Sequence, residues 1–315
     1  MLDRILIPLD RSTLAEQAIP IATALARASS AALDLVLAHK PGTREEPFTP
    51  SWSDLHDPED WRYLRQVAAE LGDAGVPATV DVRCAPPVTA IRQRQREIGA
   101  DLIVMTSHGR TGLSRTWLGS VADGVIRTAD VPVLIVRAGS ERQRRDAGAA
   151  LYRQILVPID GSPLSATILE PALALAKACR ARVTLLRVIE PSATYVYDVS
   201  VPTFPTRIPD PEATLDAESL AEAELAALAH RLSHEHGIIV DTMVTIGAPA
   251  VAILDAAHAI HADLVAMTTH GYGAARYVLG SVTDGVLRGG HLPMLVYRPS
   301  EVPAARAEEL EVLQA

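Results

Sequence analysis

Apolar positions along this chain follow two rhythms. Short, nearly unbroken apolar runs occur at 4–9 (RILIPL), 102–105 (LIVM) and 131–136 (VPVLIV). Between them lie longer stretches with an apolar residue every third or fourth position, as at Leu14, Ala18, Ile21 and Leu25 over 13–28. The first rhythm predicts strands buried on both faces, and the second predicts amphipathic helices. In order, strands are predicted at 4–9, 32–38, 78–83, 102–105 and 131–136. They alternate with helices over 13–28, 58–74 and 87–98 and one more after Gly119-Ser120. Pro20 falls inside the first helical pattern and predicts a kink or a fresh turn there. Gly75 with Pro77, and Gly99, mark helix ends. Residues 40–57 read as a polar loop carrying Phe48 and Trp52.

The series then starts again. After an aperiodic, charged stretch, strands are predicted at 154–159, 183–188 and 240–245, with helices over 212–235 and 250–259. Asp160-Gly161-Ser162 repeats the turn Asp10-Arg11-Ser12, and 262–298 repeats 100–137 almost motif for motif. An internal repeat of this kind governs the fold prediction. The fold class is α/β: two repeated doubly wound domains, each a five-stranded mostly parallel sheet with helices on both faces. The domains run 1–138 and 151–299, with a linker at 139–150 and a charged tail at 300–315. Residues 191–211, with Tyr195, Tyr197, Phe204 and several prolines, read as a long loop. The closing strands 131–136 and 292–296 are almost wholly apolar, and each is expected at an edge of its sheet. Bare apolar edges invite aggregation, so the two are expected to pair with each other across a pseudo-two-fold axis. The aromatic loops 40–57 and 191–211 are the expected contacts for a homodimer of chains.

Charge and composition narrow the function. A net charge of −9 argues against nucleic-acid binding, which needs a basic face. No apolar run approaches membrane-spanning length, and the N-terminus enters a strand pattern without an apolar leader. A cytoplasmic protein is expected. The two cysteines, Cys84 and Cys179, lie in different halves without metal or redox spacing, and read as small buried hydrophobes.

Ligands of parallel α/β sheets sit outside the carboxyl ends of the strands. That edge collects Asp10, Ala38, Thr106 and the 108–120 loop in the first half. It collects Asp160, Val188, Thr268 and the 270–281 loop in the second. Each loop carries glycines (Gly109, Gly112, Gly119; Gly271, Gly273, Gly280) and ends at a helix start, the arrangement that aims backbone N–H groups at a phosphate. Other readings compete. Ser120 with Asp123, and Ser281 with Asp284, resemble capping boxes. Asp10 and Asp160 suit an N-cap or turn as well as a ligand. Arg115 and Arg276 read either as phosphate contacts or as solvated side chains. His108 and His270 have no nucleophile and carboxylate at triad spacing and read as loop braces. His230, His234 and His236 have the most metal-like spacing, but no further ligand is evident.

Each half, on these residues, resembles a universal stress protein domain. That family's nucleotide signature is a glycine, two residues, a glycine, nine residues, then Gly-Ser or Gly-Thr. Gly109 and Gly119-Ser120 keep the nine-residue spacing; Thr106 stands at the leading glycine. In the second half Thr268 stands there, and eight residues separate Gly271 from Gly280-Ser281. The resemblance implies an adenine nucleotide alpha hydrolase-like fold. It also implies ATP as the ligand, with Mg as its counter-ion. The implied contacts are Pro8, Asp10, Ala38, Thr106, Gly109, Gly112, Gly119 and Ser120, and in the second half Pro158, Asp160, Val188, Thr268, Gly271, Gly273, Gly280 and Ser281. Two readings stand side by side: a non-catalytic stress-response regulator binding nucleotide in at least one half, and a protein–protein scaffold with vestigial sites.

Overall fold

Strand β1 (Arg4–Leu9) opens the fold and is followed by a single 3-10 turn at Ala15–Gln17 and helix α1 (Ala18–Ser29). The series continues with β2 (Ala32–His39), α2 (Pro58–Asp73), β3 (Ala78–Cys84), α3 (Pro87–Ile98), β4 (Leu102–Thr106), α4 (Ser120–Thr128) and β5 (Val133–Val136). The second half repeats it with β6 (Gln154–Pro158), α5 (Pro163–Ala166), α6 (Leu169–Cys179) and β7 (Arg182–Ile189). A hairpin, β8 (Ala193–Val196) and β9 (Thr206–Pro209), comes next. The half closes with α7 (Pro211–His236), β10 (Val240–Ile246), α8 (Pro249–Ala259), β11 (Leu264–Thr268), α9 (Ser281–Gly289) and β12 (Met294–Tyr297). The structure, a computed structural model, describes residues 2–39, 58–107, 118–137, 151–196, 206–270 and 279–299.

Pro20 acts as the pattern predicts. The chain makes its 3-10 turn first, and α1 then starts at Ala18, leaving Pro20 in the first helical turn. There its missing N–H leaves no intrahelical bond unmade. The segment predicted as a loop at 191–211 contains the antiparallel pair β8–β9, in register Ala193↔Pro209 to Val196↔Thr206. Thr194, Val196, Thr206 and Ile208 are β-branched and suit the pair, and Pro209 falls at its end.

Ten strands form one sheet, in the order β10-β7-β6-β11-β12-β5-β4-β1-β2-β3. Each half is parallel with β1 or β6 at its centre, so the chain reverses direction of winding on either side of it. The halves meet where β5 and β12 pair antiparallel, Val133↔Val296, Leu134↔Leu295 and Ile135↔Met294. The two closing strands thus cover each other's edges, and β3 and β10 become the outer edges. Side chains alternate across the sheet. Ile5, Ile7 and Leu9 point into one core layer with α1, α2, α6 and α7. Leu6, Ile103 and Ile135 point into the other with α3, α4, α8 and α9. Both layers draw on both halves. Cys179 is buried in the first of them, and burial pushes its thiol up to about 12. Cys84 corrects its reading: it ends the outer strand β3 and is only half-buried.

Candidate functional site

In the first half the strand order places β1 between β2 and β4, and the crossovers on its two sides cover opposite faces. The crevice at its carboxyl end is the switch point where such sheets bind ligands. A cavity of about 330 Å³ lies there, lined by Pro8, Asp10, Ala38, Thr106, Gly119 and Ser120 among others. That volume is within the ~300–1,000 Å³ range of small-molecule clefts. Six residues picked from four separate segments therefore share one wall. Gly109 and Gly112 lie outside the described residues, as do His108, Arg115, Arg276, Gly271 and Gly273.

Asp10 builds the turn at the floor. Its Oδ1 accepts from the Ser12 amide at 3.0 Å and from the Ser12 hydroxyl at 2.6 Å, and Ser12 Oγ in turn accepts from the Ala15 amide at 3.1 Å. Asp160 does the same with Ser162 at 2.9 and 2.6 Å, and Ser162 Oγ accepts from the Ser165 amide. One carboxylate oxygen of each aspartate is thus a turn acceptor.

The capping role read for Ser120 and Ser281 is not observed. The N-cap residues are Gly119 and Gly280, with no side-chain cap, and the serines are the first helical residues. Tertiary contact decides this. Gly119 N–H donates to the Ser107 carbonyl at 2.7 Å, and Gly280 N–H to the Thr269 carbonyl at 2.9 Å, tying the helix start to the end of the preceding strand. A Cβ at Gly280 would fall 2.8 Å from that carbonyl oxygen, so a side chain is excluded by close approach. No helical carbonyl reaches the amides of Ser120, Val121 and Ala122, and the glycine cap offers no side-chain acceptor. All three residues line the cavity. An uncapped helix start is an anion-binding group in its own right.

Three further residues of the wall were not legible in the sequence. Asp60, only 4% exposed, receives Arg11 Nη1 at 3.1 Å and contacts His39 Nδ1 at 2.9 Å. Arg11 also donates to Glu59 at 3.1 Å; these bonds, led by Asp60, raise its pKa further. Only the adjacency of His39 to Ala38 hinted at this group.

In the second half Pro158, Asp160, Val188, Thr268, Gly280 and Ser281 occupy the matching strand ends and helix start. Thr268 Oγ1 donates to the His270 carbonyl at 2.6 Å, so the threonine in place of the leading glycine braces the loop. His270 Nδ1 contacts Thr269 Oγ1 at 3.0 Å, and burial, helped by Arg127 and Arg298, lowers its pKa. The wall differs from the first half at several places, three of which gain or lose a basic side chain. Gly161 replaces Arg11, Ile189 replaces His39, and Arg187 replaces Leu37.

A second cavity, about 380 Å³, opens beside Leu254, Val265 and Met294. It lies by the amino ends of β11 and β12 and so away from the ligand edge. Among the described residues, no three His, Cys, Asp or Glu side chains gather as a metal site, His230, His234 and His236 included. No helix among them is long and apolar enough to cross a membrane.

The model of the universal stress protein family matches residues 1–137 and 151–298. Universal stress protein MJ0531 of Methanocaldococcus jannaschii is 34% identical over 48% of this chain and 85% of its own length. Universal stress protein Rv2005c of Mycobacterium tuberculosis is 29% identical over 79% of this chain and 83% of its own. The crystal structure of a universal stress protein from Archaeoglobus fulgidus superposes with a TM-score of 0.70 at 21% identity, over 95% of this chain and 99% of that one.

Proposed function

We propose, for a chain that belongs to the universal stress protein family, that the first domain binds an adenine nucleotide, ATP being the best candidate, and that the protein acts as a non-catalytic stress-response regulator. The observation that carries this reading is the 330 Å³ cavity that joins Pro8, Asp10, Ala38 and Thr106 to the uncapped start of α4. In this reading the phosphates take the first-turn amides of α4, where N–H groups and helix dipole both favour negative charge. The base lies toward Ala38 at the end of β2. The donors at hand suit a magnesium ion carried on the nucleotide's own phosphates. Asp10 has one oxygen in its turn, and Asp60 is engaged by Arg11 and His39.

Ser120→Glu tests the reading. A carboxylate in the first helical turn is compatible with the helix but competes with a phosphate for the same amides. ATP binding by equilibrium dialysis should fall at least ~10-fold, about 1.4 kcal/mol, with an unchanged thermal melt. Unaltered affinity of the first domain would remove the phosphate assignment. Absence of ATP binding by the parent chain would favour the scaffold reading.

A further inference from the structure

We infer that Arg187 closes the second domain's site and so decides how many nucleotides one chain holds; the inference rests on the adenine-nucleotide reading above. Arg187 stands on β7 where β2 has Leu37. Leu37 pairs in register with Leu9 of β1, and Arg187 follows Leu186, the partner of Pro158 on β6. Leu37 is a wall of the first-half cavity, as is the turn Leu9–Asp10–Arg11 beside it. Arg187 instead folds its guanidinium onto the equivalent turn. Its Nε donates to the Ile159 carbonyl at 2.9 Å, and a Cβ at Gly161 would lie 2.9 Å from Nη1 and 3.0 Å from Nη2. The volume that is open beside β1 in the first half is therefore filled by a cation beside β6 in the second.

Two other changes fit this placement. Gly161 supplies the room, at φ +86°, where the first half tolerates Arg11 at φ +67°. Glu224 on α7 lies 3.5 Å from Arg187 Nη2 and balances its charge. In the first half the guanidinium at this turn comes from Arg11 and leans on α2, to Glu59 and Asp60. Both halves thus keep one guanidinium between this turn and the helix beside it, but the first half takes it from the turn residue itself and the second from the neighbouring strand β7. Arg187 is buried to 14% side-chain exposure and fixed at both ends of its guanidinium, which makes it a wall and not a mobile phosphate contact.

The test is the stoichiometry of ATP binding by the full chain, measured by equilibrium dialysis. The parent should bind one ATP and Arg187→Leu two, and in the pair Ser120→Glu with Arg187→Leu one of those two sites should weaken at least ~10-fold. Arg187→Met, which keeps an unbranched apolar stem without the guanidinium, should behave as Arg187→Leu if the leucine variant folds poorly. Two ATP on the parent, or no added site in both Arg187 variants, would overturn the inference and leave the first-domain reading standing. No ATP on the parent but one on Arg187→Leu would support the inference and overturn that reading. A loss of affinity in the second domain on removing Arg187 would make the guanidinium a ligand contact and overturn the inference.

Discussion

Replacing Val133 with aspartate probes the seam that makes one sheet of two halves. Val133 pairs with Val296 of the other half, and both are 1% exposed. Losing a fully buried valine costs about 1.5–3 kcal/mol. Burying an unpaired carboxylate adds several kcal/mol more. The sum, roughly 5 kcal/mol or above, is comparable to the whole stability of a typical protein, ~5–15 kcal/mol. Val133→Asp should therefore unfold or split the chain at neutral pH. Val133→Thr, which buries only a hydroxyl, should lose about 1–3 kcal/mol. The aspartate's defect should also depend on pH. Burial raises its folded pKa above the unfolded value near ~3.9. The unfolded state then releases its proton first as pH rises, so the defect is smallest in acid and grows from about pH 4 upward. Urea unfolding followed by circular dichroism, with size-exclusion chromatography, reads both effects. An aspartate variant within ~1 kcal/mol of the parent, or two independent transitions in the parent, would refute the argument that both core layers run through both halves.

Two other perturbations have signs set by the structure. Asp34, 1% exposed on β2, accepts from Arg94 Nε at 2.9 Å and from Thr79 Oγ1. Asp34→Ala should cost about 3 kcal/mol, the lower end for a broken buried pair, because Arg94 still has Asp81 at 3.6 Å. The second half has Thr184 and Ala256 at these positions, so Asp34→Thr with Arg94→Ala should recover most of the loss. A double variant as unstable as Asp34→Ala, in the same urea assay, would contradict this. His270 has a lowered pKa, chiefly through burial, so the fold prefers it neutral. The unfolded state binds its proton first, and stability should fall as pH drops below about 6.5. His270→Gln should flatten the part of that slope read from urea midpoints at pH 7.5 and 5.5, and an unchanged slope would exclude the histidine as its source.

What the sequence determined by itself was everything that depends on neighbours along the chain. Apolar runs and helical spacing located the ten sheet strands. The repeat of 100–137 at 262–298 located the two halves, and the bare apolar closing strands pointed to their pairing. Strand order then put Asp10, Thr106 and Gly119 on one edge. Tertiary structure decided whatever depends on approach between distant segments. Ser120 looked like a cap until the Gly119 amide met the Ser107 carbonyl and took the N-cap position for the glycine. Asp60 was one acid on a polar helix start until α2 brought it under Arg11 and His39. Arg187 was the one charged residue within the predicted strand 183–188, and nothing local shows that a glycine 26 positions earlier makes room for its guanidinium. Periodicity records which face a residue occupies. Whether a charged side chain on that face lines a cavity or fills it depends on the partners that close packing sets against it, and those lie far away in the chain.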